Sequence, residues 1–185
     1  MNGSTVRFTE SQYFRQVWFW LILGGSAVLT AGIFGHGLYV QFVQGRPWGD
    51  RPMSDTALIV TASLMFLLEA GLIALFAAAH LRTEVRNDGL YLRFVPFHLS
   101  SHRLPLADVA QVEAITYRPI MDYGGWGIRY SWGSPGGTKG KAYNVFGNRG
   151  VRLTYCAGSH LVIGSQHPEE LAAAIEALRE SGGGR

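Results

Sequence analysis

The chain is poor in cysteine and in charge, and each shortage removes a class of function. Its one cysteine, Cys156, cannot close an internal disulfide, which excludes a disulfide-stapled scaffold and any zinc site built from cysteines. Charged residues make up 16% of the 185 positions, and the formal net charge is only +3. That surplus is too small for the basic face a nucleic acid requires, so no nucleic-acid partner is expected. No GxxxxGK(S/T) motif is present, and the glycines around 124–140 lack the strand–loop–helix context that cradles a nucleotide phosphate. No serine or cysteine sits in a nucleophile elbow. His98 and His102 have a four-residue spacing, but Pro96 and Ser100-Ser101 oppose a helix that would align them, and no further ligand accompanies the pair. We therefore expect no catalysis, no metal and no cofactor.

What is present falls into two unlike halves. Up to residue 80, Arg7, Arg15, Arg46 and Arg51 balance Glu10, Asp50, Asp55 and Glu69, so the net positive charge lies in the remainder. Between Arg15 and Arg46 run thirty residues without a charge, and a second apolar run extends from Thr56 to Ala79. About 20 apolar residues in helix cross a hydrocarbon core of roughly 30 Å. The first run is too long for the apolar region of a signal peptide, about 7–15 residues, and it is flanked by Trp18 and Trp20 at one end and Tyr39 and Trp48 at the other, as membrane-interface belts are. The expected spans are 17–40 and 56–79. Thr9-Glu10-Ser11-Gln12, between Phe8 and Tyr13, matches a capping box with a hydrophobic staple, so the first helix is expected to begin before the membrane.

Glu69 near the middle of the second run costs about 2.5–3.5 kcal/mol on an insertion scale, and each Leu, Ile, Phe or Val returns about 0.3–0.6. Eleven such residues lie between Leu58 and Phe76, together worth roughly 3–7 kcal/mol on that scale. The span tolerates its acid. The short, Pro- and Gly-punctuated connection 44–55 makes the two helices an antiparallel hairpin. Small residues at four-residue spacing, Ala27/Ala31/Gly35 and Ala70/Ala74/Ala78, are expected to pair inside that hairpin or to join two copies into a homo-oligomer. Arg7, Arg15, Arg82, Arg86 and Arg93 flank the outer ends of the spans, against Arg46 and Arg51 in the loop. The positive-inside rule then puts both termini of a multi-pass chain in the cytoplasm.

From residue 82 the pattern changes to short strands and tight turns. Asn87-Asp88-Gly89 is a hairpin turn, after which Leu90, Leu92 and Phe94 alternate onto one face. Further strands are expected over 111–118, 127–132, 141–145, 151–155 and 161–164, with Gly147-Asn148-Arg149-Gly150 as a turn. Pro168, Glu169 and Glu170 suit a helix start, and Leu171, Ala174, Ile175 and Leu178 give a helix over 168–180 its apolar stripe. The expected organisation is an N-terminal segment and transmembrane helical hairpin over 1–81, then a mainly β domain over 82–185 closed by a C-terminal helix.

Several stretches carry a resemblance: Phe14-Arg15-Gln16 before Trp18-Phe19-Trp20, Asn87-Asp88-Gly89-Leu90-Tyr91, Asp122-Tyr123-Gly124-Gly125-Trp126-Gly127-Ile128-Arg129, Gly140-Lys141-Ala142-Tyr143-Asn144-Val145 and Gly147-Asn148-Arg149-Gly150-Val151. Over nearly its whole length the chain resembles a family of uncharacterised bacterial membrane proteins with two spans and a pleckstrin-homology-like domain. The resemblance implies a membrane location and a pleckstrin-homology-like split barrel closed by the last helix; it implies no catalytic residues. Phe146 and the longer insertion 131–138 are local departures from it.

Two groups of residues stand out as candidate sites. Arg118, Arg129, Lys139, Lys141, Arg149 and Arg152, with Trp126 among interleaved aromatics, face only Asp122 within 118–152. Beside an anionic leaflet each well-placed cation is worth about 1 kcal/mol; the plainer reading is a solvated face whose charges alternate with core positions. Glu69, with Thr30 opposite it and His36 about 9 Å further along by helical rise, is the polar set inside the spans. It reads either as a titrating transport residue or as an interhelical hydrogen bond to Thr30 or Ser26. The expected function is a membrane-anchored interaction module that binds protein or anionic lipid without catalysis. A small proton-coupled transport component and a structural oligomer scaffold are the alternatives.

Overall fold

The computed structural model describes residues 5–131 and 140–182. Two compact units emerge. Residues 15–77 form one, and the described residues of 1–14 and 78–185 form the other.

In the helical unit, α1 (Val17–Leu38) continues into a π-helical turn, Tyr39–Val43, and α2 (Asp55–Ala78) returns. Ser54 caps α2 by accepting a hydrogen bond from the Ala57 N–H at 3.3 Å, and Asp55 lies in the positive first turn. The two helical stretches run 27 and 24 residues, or about 40 and 36 Å at 1.5 Å per residue. Both are long and apolar enough to cross a membrane. Nor are they the core of a soluble fold, because their apolar side chains point outward: Val28 is 74% exposed and Leu67 69%.

The small-residue ridges do not pack inside this hairpin. Ala31, Gly35, Ala70, Ala74 and Ala78 are exposed, and nothing approaches within 4 Å of a Cβ built on Gly35. The covered seam runs instead through Phe19, Leu23, Ser26, Thr30 and Gly37 on α1 and Leu58, Ala62, Glu69, Leu72 and Phe76 on α2, at spacings of three, four or seven residues. Phe19 meets Phe76 with ring centroids 4.7 Å apart, and Trp48 of the connection packs on Gly37, where any Cβ would fall 2.6 Å from the indole. Turning Glu69 inward toward hydroxyl donors rotates its neighbour Ala70, and the ridge it begins, to the outside.

The β unit begins with a strand where the sequence suggested a capped helix start. Residues Val6–Tyr13 are β1, paired antiparallel with β2 (His80–Arg86). Alternation explains it, since Phe8 and Gln12 turn inward while Arg7, Thr9 and Ser11 face out. A ladder of backbone hydrogen bonds to β2 outweighs a four-residue capping motif. Gln12, instead of closing that box, donates to the carbonyl of Gly164 at 2.6 Å. Strand β2 forms the expected hairpin with β3 (Gly89–Val95), and β4 (His102–Leu104) completes a sheet ordered β1-β2-β3-β4.

The second sheet holds β5 (Val109–Thr116), β6 (Gly127–Ser131), β7 (Gly140–Asn144), β8 (Arg149–Tyr155) and β9 (His160–Gly164), ordered β5-β8-β9-β7-β6. A five-residue helix, α3 (Pro119–Tyr123), interrupts the path from β5 to β6. The 147–150 turn joins β7 to β8 without making them neighbours: β9 lies between, parallel to β7 and antiparallel to β8. One core unites the sheets. Leu81, Leu90, Leu92 and Phe94 from the first meet Val151, Leu153, Leu161 and Ile163 from the second, and α4 (Pro168–Gly182) adds Leu171, Ile175 and Leu178.

Candidate functional site

The register of the second sheet gathers its loops at one end. Thr116 pairs with Arg149, Gly150 with Gly164, Tyr143 with Ile163, and Gly127 with Asn144. The connections 117–126, 145–148 and 165–167 therefore leave from the same side. Arg118, Trp126, Arg129 and Arg149 of the sequence-derived set come together here.

Each is placed by local chemistry. Pro119 fixes the first turn of α3, and the Asp122 carboxylate accepts the Arg118 backbone N–H at 2.8 Å. The helix stops at Gly124, whose φ of 71° lies in the left-handed region that favours glycine. Gly125 and Gly127, with φ of 121° and 116°, carry the chain past Trp126. The Trp126 indole N–H donates to the Gly147 carbonyl at 3.0 Å and ties the two loops together. Arg129 Nε donates to the Trp126 carbonyl at 2.9 Å. Neither the Arg118 nor the Arg129 guanidinium forms an ion pair among the described residues, so Asp122 holds backbone rather than neutralising either cation. Arg149 does pair, with Glu169 at 2.5 Å, on the surface.

Sequence reasoning passed over two residues at this end. Ile120 and Met121, on α3 between the arginines, are 62% and 77% exposed. The signal was an apolar pair inside a polar segment directly after a helix-starting proline.

Lys141 and Arg152 lie elsewhere. The Lys141 ammonium sits over the rings of Tyr143 and Tyr130, at 4.6 and 5.3 Å. Burial works against its charge, but hydrogen bonds to the Tyr143 and Tyr130 hydroxyls hold its pKa above the usual lysine value. Arg152 projects from the middle of β8 onto the outer face of the sheet, where Tyr117, Tyr123, Ala142 and Val162 form a second small core. The Tyr123 hydroxyl and His160 Nε2 are 3.1 Å apart, and Asn144 Nδ2 donates to the Tyr117 hydroxyl at 3.1 Å. Burial pushes the Tyr117 phenol up to about 12. Burial, and then the charge of Arg152, depress His160. These side chains support the sheet from outside. Lys139, the remaining cation of the set, lies outside the described residues, as does Trp132.

A third cluster was not read as one from sequence. His98 and His102 meet edge to face with centroids 4.3 Å apart, and the His98 ring also packs on Tyr143 at 5.8 Å. Its pKa is depressed by burial first, then by His102 and Lys141. The pair has no carboxylate or thiol beside it that completes a metal cluster among the described residues.

In the helical unit, Glu69 lies between the hydroxyls of Ser26 and Thr30, each 3.4 Å from a different carboxylate oxygen. His36 is exposed on α1, away from this group. The arrangement joins two helices through one acid and two hydroxyls.

A family model described as a family of unknown function, DUF6141, matches residues 6–181, a span that takes in β1, both long helices and both sheets. No curated protein and no solved structure matches the chain.

Proposed function

Because the chain belongs to DUF6141, a family of unknown function, we propose its role from the site itself: a membrane-anchored, non-catalytic interaction module that holds anionic lipid headgroups at the loop end of its β unit. In this reading the two apolar helices span an inner membrane with both termini in the cytoplasm, and the β unit is a pleckstrin-homology-like split barrel closed by α4. Short connections support it, since only Ala79 separates α2 from β2 and three residues separate β1 from α1.

The observation that carries the proposal is the composition of the loop end. Among the described residues Arg118 and Arg129 offer cations outside ion pairs, and Ile120 and Met121 offer exposed apolar side chains between them. An anionic leaflet satisfies both, by charge and by burial of apolar surface. Ser26 and Thr30 at Glu69 favour a helix-joining role for that acid over a transport role.

The test uses the full chain in detergent, titrated with short-chain anionic and zwitterionic phospholipids. The anionic lipid binds more tightly, and Arg118→Gln with Arg129→Gln weakens it about 30-fold, the equivalent of roughly 1 kcal/mol per cation. Equal affinity for both lipids, unchanged by the double variant, rejects the lipid reading. If a protein co-purified with the chain is then lost in the same variant, a protein partner takes the lipid's place.

A further inference from the structure

We infer that the β3–β4 loop is a second membrane contact, in which Phe97 and Leu99 insert as apolar anchors into the lipid interface. The inference rests on the membrane reading above but concerns a different loop on the other sheet.

Three observations lead to it. The first is exposure: Phe97 is 62% and Leu99 92% exposed, the latter more than any other large apolar side chain among the described residues. The second is how the loop is held. His98, between them, is turned inward: its Nδ1 accepts the Phe94 N–H at 3.2 Å, its own N–H donates to the Phe94 carbonyl at 2.7 Å, and its ring packs on His102 and Tyr143. With residue 98 held inward, Leu99 points outward, while Phe97 keeps one side of its ring 5.8 Å from that of buried Phe94 and leaves the rest exposed. The loop therefore presents apolar side chains from a fixed backbone.

The third observation is register, which decides what the loop would meet. Tyr13, the last residue of β1, pairs with His80, the first of β2, and His80 pairs with Val95, the last of β3. The loop 96–101 thus leaves the sheet at the same end at which the chain runs on toward residue 17 and returns from residue 78. Arg82 and Arg93 face each other in register two positions in from that end, and Arg93 Nε reaches the His98 carbonyl at 3.4 Å. Apolar tips backed by Arg93, with Arg82 beside it in an ion pair to Glu84, have the composition of an interfacial anchor. The opposite end of the sheet carries the polar turn residues Asn87 and Asp88, with Val6 of β1, 48% exposed, beside them.

The second sheet agrees on direction. Gln12, one residue from the end of β1, donates to Gly164, the last residue of β9, and Glu10 accepts from Ser165 and Gln166. The 165–167 connection thus lies against β1, and the His98 ring packs on Tyr143, one residue from the loop end of β7, which lets both tips engage one planar surface.

The native chain has a single, exposed cysteine, which makes the test direct. In a Cys156→Ser background, single cysteines at Leu99→Cys, Met121→Cys and Asn87→Cys carry an environment-sensitive fluorophore in the full chain, reconstituted in bilayer discs. Lipids spin-labelled near the headgroup supply the quencher. The probe at 99 is expected to be blue-shifted and quenched severalfold more strongly than the probe at 87. Equal, weak quenching at 99 and 87 overturns the inference. In that case strong quenching at 121 leaves the proposed function standing, whereas weak quenching at all three positions removes both.

Discussion

Glu84 is the residue on which the first sheet depends most for charge. It is 4% exposed on β2, yet Arg82 and Arg86 both reach its carboxylate. Burial opposes ionisation there, but the hydrogen bond from Arg86 and the charges of both arginines outweigh it and hold the carboxyl below its usual range. Glu84→Ala leaves two cations uncompensated. Denaturant unfolding of the full chain should show a loss of about 2 kcal/mol, toward the low side for a buried pair because both arginines keep water. The histidines predict a different pH window. His98 and His160 both have folded-state values below the free-histidine value, each chiefly through burial. Above about pH 6.5 both rings are neutral in either state and add no penalty. As pH falls through that value the unfolded chain takes up protons first, so stability drops until the lowered folded-state values are passed. The contribution of Glu84, whose folded value is lowered, is intact through this window and is lost only as pH falls further. Thermal unfolding midpoints should thus decline between about pH 7 and pH 5, and His98→Asn, which retains an acceptor for the Phe94 N–H, should flatten the decline. A pH-independent midpoint over that range contradicts the assignment. In the sequence Glu84 and His160 were visible only as isolated polar positions, and His98 only as half of a histidine pair, because burial is set by strands far away along the chain.

Among the elements, those written locally were legible. The Asn87-Asp88-Gly89 turn fixed the β2–β3 hairpin, the stripe Leu171, Ala174, Ile175 and Leu178 fixed the packing of α4, and the uncharged runs fixed α1 and α2 to within a few residues. Elements that depend on distant partners were not. Strand β1 pairs with residues that follow the helical hairpin in the chain, Tyr13 with His80, so Phe8–Tyr13 read locally as a helix cap. The parallel β7–β9 pair spans β8 and leaves no mark in either strand's pattern. Strand β4 has three residues and α3 five, too few for a periodicity. The consequence for β1 is testable. Phe8 belongs to the core shared by both sheets, so Phe8→Ala should cost about 3 kcal/mol in unfolding of the β unit. If β1 were a dispensable flank, the variant would unfold like the parent. For the same reason, a β unit cut at residue 82 lacks a strand and the start of another, and binding experiments belong on the full chain.

On the scale of the whole molecule, the chain is divided by contact rather than by order in sequence. The helical unit, 15–77, is inserted between β1 and β2 of a unit that closes around it in the chain. Composition showed that two kinds of structure are present, because hydrocarbon length and β alternation are both local patterns. It could not show that residues 5–14 belong with the described residues from 78 onward. The same holds for the candidate site: the arginines and Trp126 were readable as a basic, aromatic segment, but their sorting into a loop end, with Lys141 and Arg152 elsewhere, follows from strand order alone. The account as a whole requires that residues 17–43 and 55–78 cross a bilayer and leave the β unit on the cytoplasmic side. Cys156, exposed in the turn between β8 and β9, reports on this without any substitution. Labelling with a membrane-impermeant maleimide in right-side-out and inside-out vesicles is the most direct measurement. The account predicts reaction in inside-out vesicles and none in right-side-out vesicles until detergent is added; equal reaction in both without detergent, or recovery of the chain in the soluble fraction, would contradict it.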